Sequence, residues 1–335
     1  MKRIFTSAII ILSLLLLTVG CSTKDQQAEP KKEPAQPVSI QVMLDWVPNT
    51  NHTGLYVAKE KGWYKEQGLN VEIVQPGDSG TAQMVAAGKA QFGISAQEEV
   101  ANARSQNIPL VSIGAIIQHN TSGFASPKEK NIVSPKDFEG KSYGGWGAES
   151  EKAVIKSVME KSNADFNKVK ILTVGDADFF NITKRDVDFE WIYYGWTGID
   201  AELRKFPINY IELRKIAPEL DYYTPVIITN EAYIKDHPDV IKKFMAATAK
   251  GYEYSISNPE EASSILIKEV PGMNAELVKA SQKWLSAKYQ EDASQWGIQK
   301  PEVWETYTNW MVNHKLIPSM IDVKKAFTND FLPKK

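Results

Sequence analysis

From residue 69 to residue 117 the chain alternates short β-branched runs with amphipathic runs, and this alternation limits the fold class. Residues 69–76 alternate apolar and polar and stop at Pro76, as a strand does. Asp78-Ser79-Gly80 reads as an N-terminal cap for a helix over 81–88. Residues 91–96 form a short buried strand, 97–106 a helix, and 110–117 another strand. Strand–helix alternation implies a parallel sheet covered by helices.

The register changes near Thr121, and a second α/β unit begins. Residues 134–141 resemble a linker with a short capped helix, and 142–147 read as a strand running into a glycine-rich loop. A helix over 149–162, a strand over 169–174 and a helix over 176–183 follow. Residues 187–196 read as an aromatic strand, 200–205 as helix and 210–213 as strand. Residues 222–230 form one further strand that crosses back to the first unit. The remainder is helical: 231–257 interrupted at Pro238, a helix from Asn258, one over 276–289, and more to the end. The expectation is two α/β lobes followed by a helical C-terminal portion.

Ahead of these units, 38–44 is β-branched and apolar, so Asp45-Trp46 stands where a first strand ends. Pro48 and Asn49-Thr50-Asn51 make a loop, and a helix starts at Thr53 with Gly68 as its stop. In open α/β sheets ligands bind at strand ends, which makes Asp45 and Trp46 candidates for a ligand wall. A core tryptophan beside a turn-capping aspartate fits the same residues, and this stretch alone does not separate the two.

The N-terminus carries Lys2 and Arg3, then an apolar run over 9–17 that is too short to span a bilayer comfortably, then Thr18-Val-Gly-Cys21. This is a signal peptide over 1–20 whose cleavage site resembles a bacterial lipobox, with Thr18 where leucine is usual. Cys21 is the one cysteine in the chain, so there is no disulfide framework, and its place at the cut reads as a lipidation site. Residues 22–37 are rich in Lys, Glu, Gln, Ala and Pro and read as a flexible tether behind a lipid anchor to the cell membrane, on its extracytoplasmic face. The 39 Lys and Arg stand against 41 Asp and Glu; without Lys2 and Arg3 the net charge is about −4. No basic run points to nucleic acid. His52, His119, His237 and His314 lack metal-site spacing and read as surface or packing residues. No hydrolase, metalloprotease or phosphate-loop pattern is present. Nine tryptophans and thirteen tyrosines exceed what a core needs, so some should line a surface that grips something flat.

The Asp45-Trp46 loop, Gly62-Trp-Tyr-Lys-Glu-Gln-Gly-Leu69, Ala87-Gly-Lys-Ala-Gln-Phe-Gly93 and the aromatic strand from Trp191 to Trp196 resemble the thiamine-pyrimidine family of solute-binding proteins, bacterial relatives of the fungal enzyme that makes the thiamine pyrimidine. The resemblance covers residues 38 to about 330. It implies a two-lobed periplasmic-binding-protein type II fold with a hinge, one lobe from 38–121 with about 222–335, the other from about 122–221. It implies an importer's binding lipoprotein that holds N-formyl-4-amino-5-aminomethyl-2-methylpyrimidine between closing lobes, without a cofactor, and hands it to an ABC permease with its ATPase. Relatives bind taurine, sulfonates or nitrate instead. The fungal enzyme carries a lysine and a histidine for its cofactor chemistry, and these align with Ser95 and Glu99. Serine cannot form a Schiff base with pyridoxal phosphate, which argues for binding without catalysis.

An aminopyrimidine wants aromatic walls, carboxylates for its amine and backbone N–H groups for its ring nitrogens. Under this resemblance Trp46 is the stacking wall and Asp45 the neighbouring acceptor. Gly144-Gly145-Trp146-Gly147 can bring N–H groups close to a ligand, or can be a plain tight turn. Glu149 is a site acid or a first-turn complement to the helix dipole. Glu190, Tyr193, Tyr194 and Trp196 lie near the end of the aromatic strand; period two puts Glu190 and Tyr194 on one face, Trp191 and Tyr193 on the other. A glutamate buried there needs a partner, either a ligand amine or a cation such as Lys184. Ser95 and Glu99 join the candidate set through the alignment, although Glu99 also fits an ordinary first-turn acid.

Overall fold

The computed structural model describes residues 36–77, 80–175 and 177–334. The expected signal peptide, Cys21, nearly all of the tether, Asp78 and Ser79 of the expected cap and Asp176 at the expected start of a helix lie outside the described residues.

The chain first lays down β1 (Val38–Met43), α1 (Thr53–Glu60), α2 (Trp63–Glu66), β2 (Leu69–Val74), α3 (Thr81–Ala86), β3 (Phe92–Ser95), α4 (Gln97–Ser105) and β4 (Leu110–Ala115). It crosses to a second sheet through β5 (Ser122–Pro127), β6 (Ser142–Gly145), α5 (Glu149–Lys161), β7 (Lys170–Thr173), α6 (Phe179–Arg185), β8 (Phe189–Tyr193), α7 (Ile199–Leu203) and β9 (Ile208–Glu212). It returns through α8 (Leu213–Ile216) and β10 (Val226–Asn230). The rest is helical: α9 (Glu231–Asp236), α10 (Pro238–Ser257), α11 (Pro259–Glu269), α12 (Ala275–Ser286), α13 (Pro301–Asn313) and α14 (Val323–Ala326). Pro238, expected to interrupt a helix, opens α10 at a position where its missing N–H leaves no bond unmade.

The strand order is β2-β1-β3-β10-β4 in the first sheet and β7-β6-β8-β5-β9 in the second. Neither sheet is wholly parallel, contrary to the expectation from strand–helix alternation. β1 pairs in parallel with β2 and β3, but β10 runs antiparallel to both β3 and β4. The reason is topological: β10 arrives from the second sheet and enters from the opposite end. In the second sheet β6 pairs in parallel with β7 and β8, while β5 is antiparallel to β8 and β9.

Each sheet has its own aromatic core. Phe92, Phe244 and Tyr64 stack in the first, with centroids 4.0 and 5.6 Å apart. Phe138 stacks on Phe189 at 4.1 Å in the second, and Phe124 meets both edge-on. Each such pair contributes about 0.5–1.5 kcal/mol beyond the burial of its area. α13 touches both cores: Trp304 packs in a cluster with Val226 and Ile228 of β10, and Tyr307, Trp310 and Met311 pack with Phe124 and Phe189. Most aromatics are thus spent on cores, whereas Trp46 and Trp146 are 45% and 46% exposed.

Candidate functional site

The C-terminal ends of β1, β6 and β8 and the start of β10 border one cavity of about 690 Å³ between the two sheets. That volume lies within the range of small-molecule sites.

The wall from the first sheet is a hydrogen-bonded loop. Asn49 is its organiser: its Oδ1 accepts from the Asn51 N–H at 2.9 Å, its Nδ2 donates to the Val47 carbonyl at 3.0 Å, and its own N–H donates to His52 Nδ1 at 3.1 Å. Because Nδ1 accepts, the imidazole proton sits on Nε2, which donates to Asp45 Oδ1 at 2.7 Å. His52 is fully buried, while the Asp45 side chain is 34% exposed. Asp45 therefore has one oxygen held by His52 and the other without a partner among the described residues. Trp46 beside it borders the cavity and is not a core residue.

The wall from the second sheet combines Gly144, Gly145 and Trp146 after β6, Glu190, Trp191 and Tyr193 on β8, and Trp196 just beyond. Trp146 and Trp191 lie 5.3 Å apart at 43°. Glu190 is 8% exposed and makes no hydrogen bond or ion pair among the described residues. Burial, and secondarily the charge of Asp178, push its carboxyl up to about 8. Lys184, the cation expected as an alternative partner, lies over the Phe206 ring instead. Asp178 caps α6 through the Asn181 N–H at 3.0 Å, and Asp200 is held by Arg204 at 2.8 Å. The cavity wall thus carries Asp45, Asp178, Glu190 and Asp200, and no lysine, arginine or histidine among the described residues.

Residues 49–262 match the family described as NMT1/THI5 like. The chain belongs to that family. Among its relatives is the formylaminopyrimidine-binding protein of Halalkalibacterium halodurans, 28% identical over 95% of this chain and 97% of that one. Another is a 4-amino-5-hydroxymethyl-2-methylpyrimidine phosphate synthase of Legionella pneumophila, 23% identical over 88% and 92%. The periplasmic aliphatic sulphonate binding protein SsuA of Escherichia coli superposes with a TM-score of 0.69 at 13% identity, covering 89% of this chain and 94% of that chain. The fold is the two-lobed periplasmic-binding-protein fold.

Against this family framework, Asp45, Trp46, Gly144, Gly145, Trp146, Glu190, Tyr193 and Trp196 are brought together on the cavity wall. Five expected residues are not. Ser95 is buried at the end of β3 opposite Val226 and is not among the residues that line the cavity. Glu99 projects from the exposed face of α4. Glu149 is exposed and pairs with Lys152 at 2.8 Å, the first-turn role that was its alternative. Tyr194 leaves the strand altogether: β8 stops at Tyr193 and residues 194–198 form a π-turn. Its hydroxyl donates to Glu202 at 2.5 Å and its ring packs on Tyr210 and Trp284, so period-two alternation fails there.

The glycine-rich loop differs from expectation in a more telling way. The N–H groups of Trp146, Gly147 and Ala148 all donate to the carboxylate of Glu151, at 3.1, 2.7 and 2.7 Å, and the Tyr143 hydroxyl adds a fourth bond at 2.6 Å. Gly147 is thereby taken out of the candidate set. A helix N-terminus with a glycine loop is a natural anion seat, and here the chain fills it with its own side chain. Gly145 is required by this packing, since a Cβ there would lie 1.9 Å from Glu151 Oε2 and 2.6 Å from the Tyr143 ring.

Sequence reasoning passed over His52, Asn49, Trp191 and Asp178. By its spacing His52 reads as a surface or packing residue; the usable signal is its place seven residues beyond Asp45, across a Pro-Asn loop.

Proposed function

We propose that the cavity captures a small, flat, amine-bearing heterocycle of the 4-aminopyrimidine class, with N-formyl-4-amino-5-aminomethyl-2-methylpyrimidine as the leading candidate. The observation that carries this reading is Glu190, a buried carboxyl without a protein partner in a cavity walled by tryptophans and carboxylates. With its carboxyl pushed up to about 8, Glu190 is protonated at neutral pH. A protonated carboxyl matches the edge of a 4-aminopyrimidine: its O–H donates to the ring nitrogen and its carbonyl accepts from the exocyclic amine. Leaving either group unpaired in a dry cavity costs about 1–3 kcal/mol, which is where the selectivity arises. Trp46 on one wall and Trp146 and Trp191 on the other offer indole faces for stacking. The carboxylate-lined wall, and the anion seat already filled by Glu151, disfavour sulfonates and nitrate.

In this reading the protein is the solute-capturing component of an ABC importer, anchored at the extracytoplasmic face of the membrane by a lipid on Cys21. The two sheet-built lobes close on the ligand and present the closed form to a permease with its ATPase. The name of the Halalkalibacterium relative supports the ligand class. Isothermal titration with 4-amino-5-aminomethyl-2-methylpyrimidine and its N-formyl derivative tests it. Binding of either, with none of taurine or nitrate, is expected; the reverse pattern rejects the ligand. The Legionella relative raises the rival reading of a synthase. Ser95 offers no amine for a Schiff base and Glu99 stands where the fungal enzyme has its histidine, so no pyrimidine product is expected on incubation with pyridoxal phosphate; product in that assay overturns the binding role.

A further inference from the structure

We propose that Ser281, which does not line the cavity, is a positioning residue that sets the register of its two walls. Its hydroxyl lies 2.6 Å from Thr50 Oγ1, on the first-sheet loop that carries Asp45 and Trp46, and also hydrogen-bonds the Gly195 carbonyl, in the π-turn between Tyr193 and Trp196. Thr50 and Gly195 both border the cavity. Proton counting gives the relay a direction. A carbonyl oxygen only accepts, so the single Ser281 proton goes to Gly195. Ser281 Oγ must then accept the proton of Thr50. One fully buried hydroxyl joins the two ligand-bearing turns.

The rest of α12 supports the same junction. Ser281, Trp284 and Leu285 stand at i, i+3 and i+4 and share one helix face. Leu285 borders the cavity, and a Cβ on Gly195 would lie 3.0 Å from the Trp284 ring and 3.1 Å from Leu285. A side chain at 195 would lift the turn off α12 and lengthen the Ser281 bond. On the other side the Tyr289 hydroxyl donates to the Thr50 carbonyl at 2.5 Å, so Thr50 is gripped at both its side chain and its backbone. α12 is thus the strut against which both walls are referenced. The ligand part of this inference rests on the aminopyrimidine reading; the structural part does not.

Hydrogen exchange of the full-length, ligand-free chain separates the two. In Ser281→Ala, exchange is expected to rise about fivefold to tenfold in residues 49–53 and in 194–198 together. Residues 92–95 and 124–127, inside the two sheets, are expected to keep their wild-type rates. Titration with 4-amino-5-aminomethyl-2-methylpyrimidine is expected to show a Kd weakened by a similar factor. Ser281→Cys, which keeps the volume with a weaker donor, is expected to fall between, and it stands in if the alanine variant does not fold. Exchange that rises on one side only, or on neither, overturns the proposal, as does a Kd unchanged in Ser281→Ala when the wild-type protein binds the pyrimidine. Failure of the wild-type protein to bind the pyrimidine counts against the ligand reading alone, and the exchange result still decides the role of Ser281.

Discussion

His52 Nε2 donates to Asp45 Oδ1 across 2.7 Å while its Nδ1 accepts the Asn49 N–H, so a fully buried imidazole fixes the one aspartate that follows β1. In His52→Ala the Asn49 N–H loses its acceptor inside the protein and the Asp45 carboxylate is free to rotate. Stability is expected to fall by about 2–4 kcal/mol, the cost of a buried unpaired donor plus a cavity. Urea unfolding measures this, and titration with the aminopyrimidine is expected to show weaker binding in the folded fraction. A midpoint within error of wild type removes His52 from this role.

Trp46 should behave in the opposite way. It is 45% exposed, so Trp46→Ala is expected to change stability by about 1 kcal/mol or less. As a stacking wall it should nonetheless cost about tenfold or more in ligand affinity. Calorimetric titration beside a thermal melt reads both quantities on one sample. A large loss of melting temperature without loss of affinity would make Trp46 a packing residue after all.

Glu190 gives the cavity a pH signature. Its carboxyl is pushed up to about 8, so between the unfolded value near 4.5 and about 8 the folded state holds a proton that the unfolded state has lost. Stability of the ligand-free protein therefore decreases as pH rises through that window and levels off above it. Glu190→Gln removes the penalty. It is expected to be more stable than wild type at pH 9, by about 2–4 kcal/mol, and similar to it at pH 4. Unfolding midpoints across pH 4–9 check the sign, and the variant, whose amide keeps one donor and one acceptor, should retain aminopyrimidine binding and lose its pH dependence near 8.

His119 adds a second, separable slope. It lies in the first crossing between the sheets, with Nδ1 2.6 Å from Asp221 Oδ2 in the return crossing and Nε2 3.0 Å from Asp292 Oδ1. The hydrogen bond to Asp221 is the main cause that raises it from 6.5 to about 8. Its contribution is complete below pH 6.5 and is lost as pH rises through about 8. His119→Gln is expected to lose about 1–2 kcal/mol at pH 6 and almost nothing at pH 9. Equal losses at both values would mean that the imidazole contributes by packing and not by charge.

Much of the candidate cavity wall was legible because it obeys local rules. Asp45 and Trp46 follow a β-branched run, and Glu190 sits on an aromatic one, so strand ends alone brought them forward. Tyr194 was misread because nothing in Tyr-Tyr-Gly-Trp announces a π-turn; it forms where Gly195 lets the chain settle onto Trp284 and Leu285, far along the sequence. Gly147 was misread because Glu149 and Glu151 are equivalent first-turn acids by pattern, and the fold decides which one turns back to the loop. The insertion of β10 between β3 and β4 had no local sign, since its partners lie more than a hundred residues upstream.

That insertion bears on how the molecule can be made. While residues up to about 225 are the only ones synthesised, β4 has no neighbour in its own sheet, although every strand of the other sheet is already present. The half encoded first is therefore the half finished last, and its edge must wait, unpaired, for a strand that arrives after the chain has built everything in between.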